Sequence, residues 1–201
     1  MTSHKSASGN QPPQLDPDAD ILIKLARGDT LALGDLMARH MHAIKSVAWH
    51  MLRDEIIAED IAQEVFLRAW KQAPTWQPGR AKFSTWMHRV TKNLCLDRLR
   101  KKTEVLGEDV PEMIDDTPSA AQLIITGENE QRQKTHIDAA MAALPARQRL
   151  AITLCHYQDL PQIEAANILD ISVRAYESLL ARGRRNLRTQ LERYKQDLLE
   201  S

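Results

Sequence analysis

The residues best suited to chemistry in this chain are cations that occur in two blocks. Residues 80–102 contain eight Lys and Arg against the single acid Asp97, and residues 171–195 contain seven against Glu177 and Glu192. Surface cations in such numbers bind polyanions by neutralising phosphates, with no covalent step. Charge blocks that simply face solvent have the same composition, so this pattern alone leaves both interpretations open.

An acidic segment separates the two basic blocks. Residues 103–130 contain eight Asp and Glu and no Lys or Arg. The whole chain of 201 residues nevertheless has zero formal net charge, with 27 basic and 27 acidic residues. The segregation predicts two surfaces that meet a polyanion and a connector that is excluded from it.

The second basic block follows a pattern typical of a helix-turn-helix motif, in the segment "LPQIEAANILDISVRAYESLLARGRRNLR" at residues 160–188. Ala166 falls where two helices cross, Asp170 falls at a turn position that favours a left-handed backbone, and Ser172 is placed to cap the second helix. The predicted shared core consists of Ala165, Leu169, Ile171, Tyr176 and Leu179. A helical hairpin with a solvated arginine face is the alternative.

In a helix-turn-helix motif the second helix enters the major groove with its N-terminal half. The outward residues there are Val173, Arg174, Glu177, Ser178, Ala181 and Arg182. Arg184, Arg185 and Arg188 lie further along the helix, where they can reach phosphates.

Helical periodicity in the rest of the chain predicts an all-α protein with two small helical domains joined by an acidic linker. We expect a disordered tail at residues 1–18, a first domain at 19–102, the linker at 103–134 and the helix-turn-helix domain at 135–201. Within the first domain the predicted helices cover about residues 19–27, 30–52, 57–71 and 84–102, and a loop covers 74–82. Within the second, helices are predicted at about 135–143 and 146–157 ahead of the motif.

Other kinds of chemistry find little support in the sequence. Cys95 and Cys155 lie in apolar helical patterns, and no Cys and His residues have the spacing of a zinc site, so we expect neither metal nor cofactor. No Ser/His/Asp set or carboxylate pair emerges, so we expect no enzymatic activity. The chain has no apolar run of membrane-spanning length and no signal segment, which favours a cytoplasmic protein without membrane insertion.

Four segments in order resemble the group 4, or extracytoplasmic-function (ECF), sigma factors of the sigma-70 family across residues 19–195. They are "EDIAQEVFLRAW" (59–70), "FSTWMHRVTKNLCLDRLRKK" (83–102), "LPARQR" (144–149) and the helix-turn-helix segment. The resemblance implies a protein that binds core RNA polymerase at its β′ clamp and β flap and directs it to promoter DNA. It also implies a stress-responsive factor held by an anti-sigma factor.

The resemblance assigns residues to each task. Polymerase binding falls to Asp60, Gln63, Glu64 and Phe66. Recognition and melting of the −10 element fall to Trp86, His88, Arg89, Lys92, Asn93, Arg98 and Arg100. Recognition of the −35 element falls to Arg174, Ser178, Arg182 and Arg185.

A protein can melt DNA without covalent chemistry by stacking unpaired bases on side chains and holding the backbone with cations. Asn93 and the loop at 76–83 would form the pocket for a flipped −10 base, while Trp86 also fits a role in the core. Family members commonly carry a basic residue at the positions of Glu177 and Leu179 and a threonine at that of Ala175. This departure leaves the −35 contacts to Arg174, Ser178 and Arg182.

Two rival functions remain open at this point. A sigma-like decoy would sequester an anti-sigma factor without binding DNA, but it would not need the two basic faces. A helix-turn-helix regulator with a ligand-sensing N-terminal half would not need the segment at 59–70. The acidic linker is implied to pass near the RNA exit path of the polymerase, and a plain flexible tether explains its composition equally well.

Overall fold

The structure, a computed structural model, describes residues 16–77, 81–106 and 129–194. In these ranges every regular element is a helix, as predicted. The helices are α1 (Ala19–Ala26), α2 (Leu31–Leu52), α3 (Glu55–Gln72), a 3-10 turn (Ala73–Thr75), α4 (Phe83–Leu106), α5 (Asn129–Ala142), α6 (Ala146–His156), α7 (Gln162–Leu169) and α8 (Val173–Glu192). None of these helices is both long enough and apolar enough to cross a membrane.

Helices α1 to α4 form the first unit around one apolar core. The turn between α2 and α3 is fixed by Arg53, which adopts the left-handed conformation at φ 58°, and by the side chain of Asp54, which accepts a hydrogen bond from the Ile57 amide at 2.9 Å. This N-cap satisfies one of the free amides of the first turn of α3. Helix α3 then buries the following side chains: Ala58, Ile61, Ala62, Val65, Phe66 and Ala69.

The last residues of the predicted disordered tail are ordered, which corrects its boundary at residue 18. The Asp18 carboxylate is buried and lies 2.7 Å from Arg39 Nη1 and 2.8 Å from His40 Nε2. Burial alone would raise the pKa of Asp18, but hydrogen bonds from His40 and Arg39 lower it below its usual value. This short polar segment is held in place by Arg39 and His40 of α2, because a buried carboxylate needs partners. Residues 1–15 lie outside the described ranges.

Helices α5 to α8 form the second unit, in which α7 and α8 build the helix-turn-helix. Tyr176 is fully buried, and its hydroxyl donates to the Ala151 carbonyl at 3.0 Å. Gly183 allows α8 to approach α6 closely, because a Cβ there would lie 3.2 Å from Ile152 Cδ1.

The predicted linker is shorter than expected at both ends, since α4 continues to Leu106 and α5 begins at Asn129. Its middle, 107–128, lies outside the described residues.

The two units pack against each other, a contact that the sequence did not predict. The Arg149 guanidinium is buried between them and donates to the Met51 carbonyl at 2.6 Å and the Leu144 carbonyl at 3.0 Å. Burial lowers the pKa of Arg149 to about 10, so it remains charged at neutral pH. The His50 ring lies 3.7 Å from that of Tyr157. Helix α6 is thereby held against the end of α2.

Candidate nucleic-acid interface

Helix α4 carries the first basic block and is fixed at its start by a distant side chain. The amide of Phe83 donates to Asp16 Oδ2 at 2.6 Å, so a residue 67 positions earlier caps the helix. Phe83, Met87 and Cys95 are fully buried and orient the core side of α4. The opposite side is therefore available for cations and polar groups.

The aromatic residues near the start of α4 pack mainly on one another. Phe83 lies edge-on to Trp76, with ring centroids 4.9 Å apart, and is stacked on Trp86 at 5.2 Å. Trp86 is half-buried as a result, so its ring contributes to the core and is only partly open for stacking on a base. Residues 78–80 of the predicted pocket loop lie outside the described residues.

The structure corrects the assignment of His88 to DNA contact. The side chain is buried, and its Nδ1 lies 2.9 Å from the Ser84 carbonyl oxygen. Burial lowers its pKa below the usual value, which favours the neutral ring. A neutral, enclosed imidazole has neither the charge nor the access to bind a phosphate, so we assign His88 to the structure of α4.

The candidate DNA-contacting residues of α4 divide into two groups. Asn93, Arg98 and Arg100 are exposed, with Arg100 Nη2 lying 3.3 Å from Asp97 Oδ1 in a weak surface pair. Arg89 and Lys92 instead face α7 of the second unit. The predicted −10 face is thus only partly accessible in this arrangement.

The helix-turn-helix has the local geometry that its sequence predicts. Ala165 and Ala166 are buried where α7 meets its neighbours, and Asp170 adopts the left-handed conformation at φ 57° and ψ 43°. The hydroxyl of Ser172 accepts a hydrogen bond from the Ala175 amide at 3.2 Å, which caps α8. The turn is therefore built as predicted.

The outer face of α8 collects the candidate −35 residues. Tyr176, Leu179 and Leu180 point into the core. Exposed on the other side are Arg174, Ser178, Arg182 and Arg185. Helix α8 thus presents a polar, basic surface with its N-terminal half outward, as a helix that enters the major groove requires.

Helix α3 carries the candidate polymerase residues, one of which the structure corrects. Asp60 and Gln63 are exposed, and Glu64 pairs with Arg68 Nε at 2.7 Å. Phe66 is only 2% exposed and belongs to the core, so it is not a surface contact. Phe66 lies on the apolar stripe of α3 with Ile61 and Ala69, so the sequence already indicated that its side chain is buried.

Sequence reasoning missed three large apolar side chains that α3 exposes, namely Ile56, which is 75% exposed, Leu67 and Trp70. Leu67 is 50% exposed and Trp70 is 43% exposed. With Gln63 they follow a spacing of four and then three residues, which places all three on one side of the helix. That spacing was visible in the sequence, although which side would be buried was not.

The order of these elements matches one family of proteins along most of the chain. The family pattern described as Sigma-70 region 2 matches residues 36–105, and Sigma-70, region 4 matches residues 135–187. The ECF RNA polymerase sigma factor SigW of Bacillus subtilis is 32% identical over 175 residues, which cover 84% of this chain and 93% of SigW. The chain belongs to the ECF sigma factors.

Two further comparisons extend this ECF sigma factor assignment. SigE of Mycolicibacterium smegmatis is 29% identical over 179 residues, covering 88% of this chain and 69% of SigE. CnrH, a sigma factor of Cupriavidus metallidurans, has been solved in complex with the cytosolic domain of CnrY. That structure aligns with a TM-score of 0.64 at 25% identity, covering 87% of this chain and 97% of CnrH.

Family membership relates the described units to the two sigma regions. Region 2 spans α2 to α4, and region 4 spans most of α5 to α8. The basic face of α4 and that of α8 therefore lie in different regions of this ECF sigma factor. In the described residues, no group of three or more His, Cys, Asp or Glu side chains is placed to hold a metal ion.

Proposed function

We propose that this ECF sigma factor reads the −35 element with the outer face of α8 and the −10 element with the outer face of α4. The observation that supports it most is the exposure of Arg174, Ser178, Arg182 and Arg185 on one side of a capped helix whose other side is core. The polar atoms on this surface suit base edges and phosphates.

On α4, melted DNA is bound mainly by cations. Asn93, Arg98 and Arg100 are exposed, and Arg89 and Lys92 join them when the second unit moves away. Trp86 offers only part of its ring for stacking. Capture of the displaced strand therefore depends chiefly on contacts to its backbone and on Asn93.

Docking to core polymerase uses the exposed side of α3. Asp60, Gln63 and Glu64 supply polar contacts to the β′ clamp, and Leu67 and Trp70 supply the apolar centre that Phe66 was expected to provide. Apolar anchors within a polar rim are typical of protein interfaces. We assign binding of the β flap of the polymerase to the helix-turn-helix unit.

Control by an anti-sigma factor is supported by the complex of CnrH with CnrY. A partner that covers the two DNA faces or α3 would hold the protein inactive until a stress signal releases it. Promoter selection requires binding and positioning with no covalent step, so we assign the protein no enzymatic activity and place it in the cytoplasm with the polymerase. A decoy would not need the exposed basic faces of α4 and α8.

Run-off transcription with core polymerase tests these assignments. Arg182→Ala is expected to weaken binding to a −35 element by about 1–3 kcal/mol, because it removes a base or phosphate contact. Arg193→Ala, which changes an exposed arginine just beyond α8, is the matched control and should behave as wild type. Asn93→Ala should reduce strand opening, measured by permanganate reactivity. Wild-type output from both Arg182→Ala and Asn93→Ala would contradict the assigned faces.

A further inference from the structure

The helix-turn-helix unit contacts α4 through a row of opposite charges. Lys92 Nζ donates to Asp170 Oδ2 at 2.7 Å, and Arg89 Nη2 lies 3.4 Å from Asp170 Oδ1. Arg89 Nε also donates to the Asn167 carbonyl at 2.7 Å. Lys82, just before α4, pairs with Glu164 of α7. The basic side of α4 is therefore matched to the acidic side of α7 and its turn.

Asp170 is unusual in its position. Its backbone is left-handed, a conformation that glycine adopts without strain and aspartate only at some cost. Both of its carboxylate oxygens face cations of α4. The hydrogen bond from Lys92 lowers the pKa of Asp170, in keeping with a fully ionised carboxylate. The side chain that glycine would lack thus serves the contact between the units.

This contact occupies cations that the proposed function assigns to DNA. Lys92 is only 9% exposed. A carboxylate that accepts from a lysine and faces an arginine takes the place that a DNA phosphate would occupy beside the same two groups. Arg89 and Lys92 cannot serve Asp170 and a DNA strand at once, whereas the DNA face of α8 stays exposed.

We propose that Asp170 is an internal phosphate mimic that latches the helix-turn-helix unit onto α4 and competes with the −10 strand for Lys92 and Arg89. The latch rests on the proposed DNA role of these two cations. The latch makes the free protein bind single-stranded DNA more weakly than its exposed charges suggest. Only molecules in which Asp170 has left Lys92 and Arg89 can bind the strand there. The −35 face of α8 is not affected.

Substitution of Asp170 by asparagine tests the latch. Asparagine also tolerates the left-handed backbone, so the turn is kept while the charge is removed. Asp159→Asn is the matched control, because Asp159 is exposed and left-handed at φ 47° and forms no ion pair within the described part of the chain. Glu164→Gln provides a second variant that removes the Lys82 pair without touching the turn.

The binding measurement is fluorescence anisotropy of a short labelled oligothymidylate with the full chain. Asp170→Asn is expected to bind about three- to tenfold more tightly than wild type, the range that one or two partly exposed ion pairs supply. Glu164→Gln should shift in the same direction by less, and Asp159→Asn should match wild type. Equal affinity of wild type and Asp170→Asn would overturn the proposal, as would an equal gain from Asp159→Asn.

Carbodiimide cross-linking tests the contact without DNA. The reagent couples a lysine amine to a carboxylate in contact with it, so peptide mapping should find Lys92 joined to Asp170, and oligothymidylate should suppress this product. Absence of the product would also overturn the latch. Failure of promoter selection alone gives a different result: Asp170→Asn would still bind single strands more tightly, while the wild-type protein would fail to direct run-off transcription.

Discussion

At the scale of single residues, burial decides which side chains of α3 can meet a partner. Phe66 is in the core, and its neighbour Leu67 is half exposed. The two differ by one position, which is about a quarter of a helical turn. We therefore expect adjacent apolar residues to have separate tasks, Phe66 in folding and Leu67 in the proposed docking.

Alanine substitutions separate these two tasks. Phe66→Ala is expected to lower the free energy of unfolding by about 3–5 kcal/mol, because it leaves a cavity in the core. Leu67→Ala should change stability far less and should weaken the complex with core polymerase. Urea unfolding and a polymerase pull-down measure the two effects. Loss of polymerase binding by Phe66→Ala alone, with unchanged unfolding, would contradict this division.

His50 introduces a pH dependence at the contact between the two units. Burial, followed by the charges of Arg53 and Lys134, lowers its pKa from 6.5 to about 4. Between these values the unfolded chain binds a proton that the folded chain does not, so stability falls as the pH falls through this window. The folded ring stays neutral against Tyr157.

Replacement of His50 by phenylalanine should remove this pH dependence while keeping a ring against Tyr157. Between about pH 7 and about pH 5, wild type is expected to lose about 2 kcal/mol more unfolding free energy than His50→Phe. Urea unfolding at both pH values gives the difference. Parallel losses in the two proteins would show that His50 does not carry this pH dependence.

At the scale of elements, the outward face of α8 depends on where the helix begins as well as on which of its residues are apolar. The Ser172 cap fixes where the helix begins, and the start fixes which residues turn outward. A shift of one residue at this end would rotate Arg174 and Ser178 by about 100° relative to the core. The cap is thus part of the geometry of the proposed −35 face.

Serine-to-alanine changes at two sites compare the cap with the helix surface. Ser172→Ala should lower the free energy of unfolding by about 1 kcal/mol, because the Ala175 amide loses its partner. Ser178→Ala, an exposed position inside α8, should leave stability unchanged or slightly higher, since alanine favours helix. Thermal unfolding followed by circular dichroism measures both. A cap variant as stable as wild type would contradict this account of α8.

Local rules in the sequence predict much of this geometry. The cap at Ser172, the left-handed Asp170, the small Ala166 and the all-helical fold all follow from preferences of neighbouring residues, and the structure confirms them. Apart from Phe66, whose burial the apolar stripe of α3 indicates, the errors concern residues whose environment is set from far along the chain. Asp16 and Asp18 are ordered by distant partners, and His88 is enclosed by packing that no local pattern shows.

At the scale of the whole molecule, the two units differ in how much of their DNA face is open. The outer face of α8 is exposed, whereas α7 covers Arg89 and Lys92 on α4. In the proposed function each face alone contacts a short stretch of DNA, and linkage raises the effective concentration of the second face once the first has bound. We therefore expect promoter binding to depend on both units and on their separation.

Because phosphates supply much of the affinity, promoter binding should fall steeply with salt. A plot of the logarithm of the binding constant against that of salt concentration is expected to flatten by about one unit for Arg185→Ala, which loses a single phosphate contact. The loss should be similar across DNA sequences. Arg193→Ala should keep the wild-type slope in the same titration. An unchanged slope for Arg185→Ala would show that Arg185 does not contact a phosphate.

Start-site selection by the purified protein measures promoter recognition itself. Core polymerase alone and core polymerase with this chain are incubated with genomic DNA, and the 5′ ends of the transcripts are mapped. We expect a discrete set of new start sites that share two elements at the −35 and −10 positions, and the loss of these sites with Arg182→Ala. Transcripts that begin at the same positions with and without the chain would contradict this expectation.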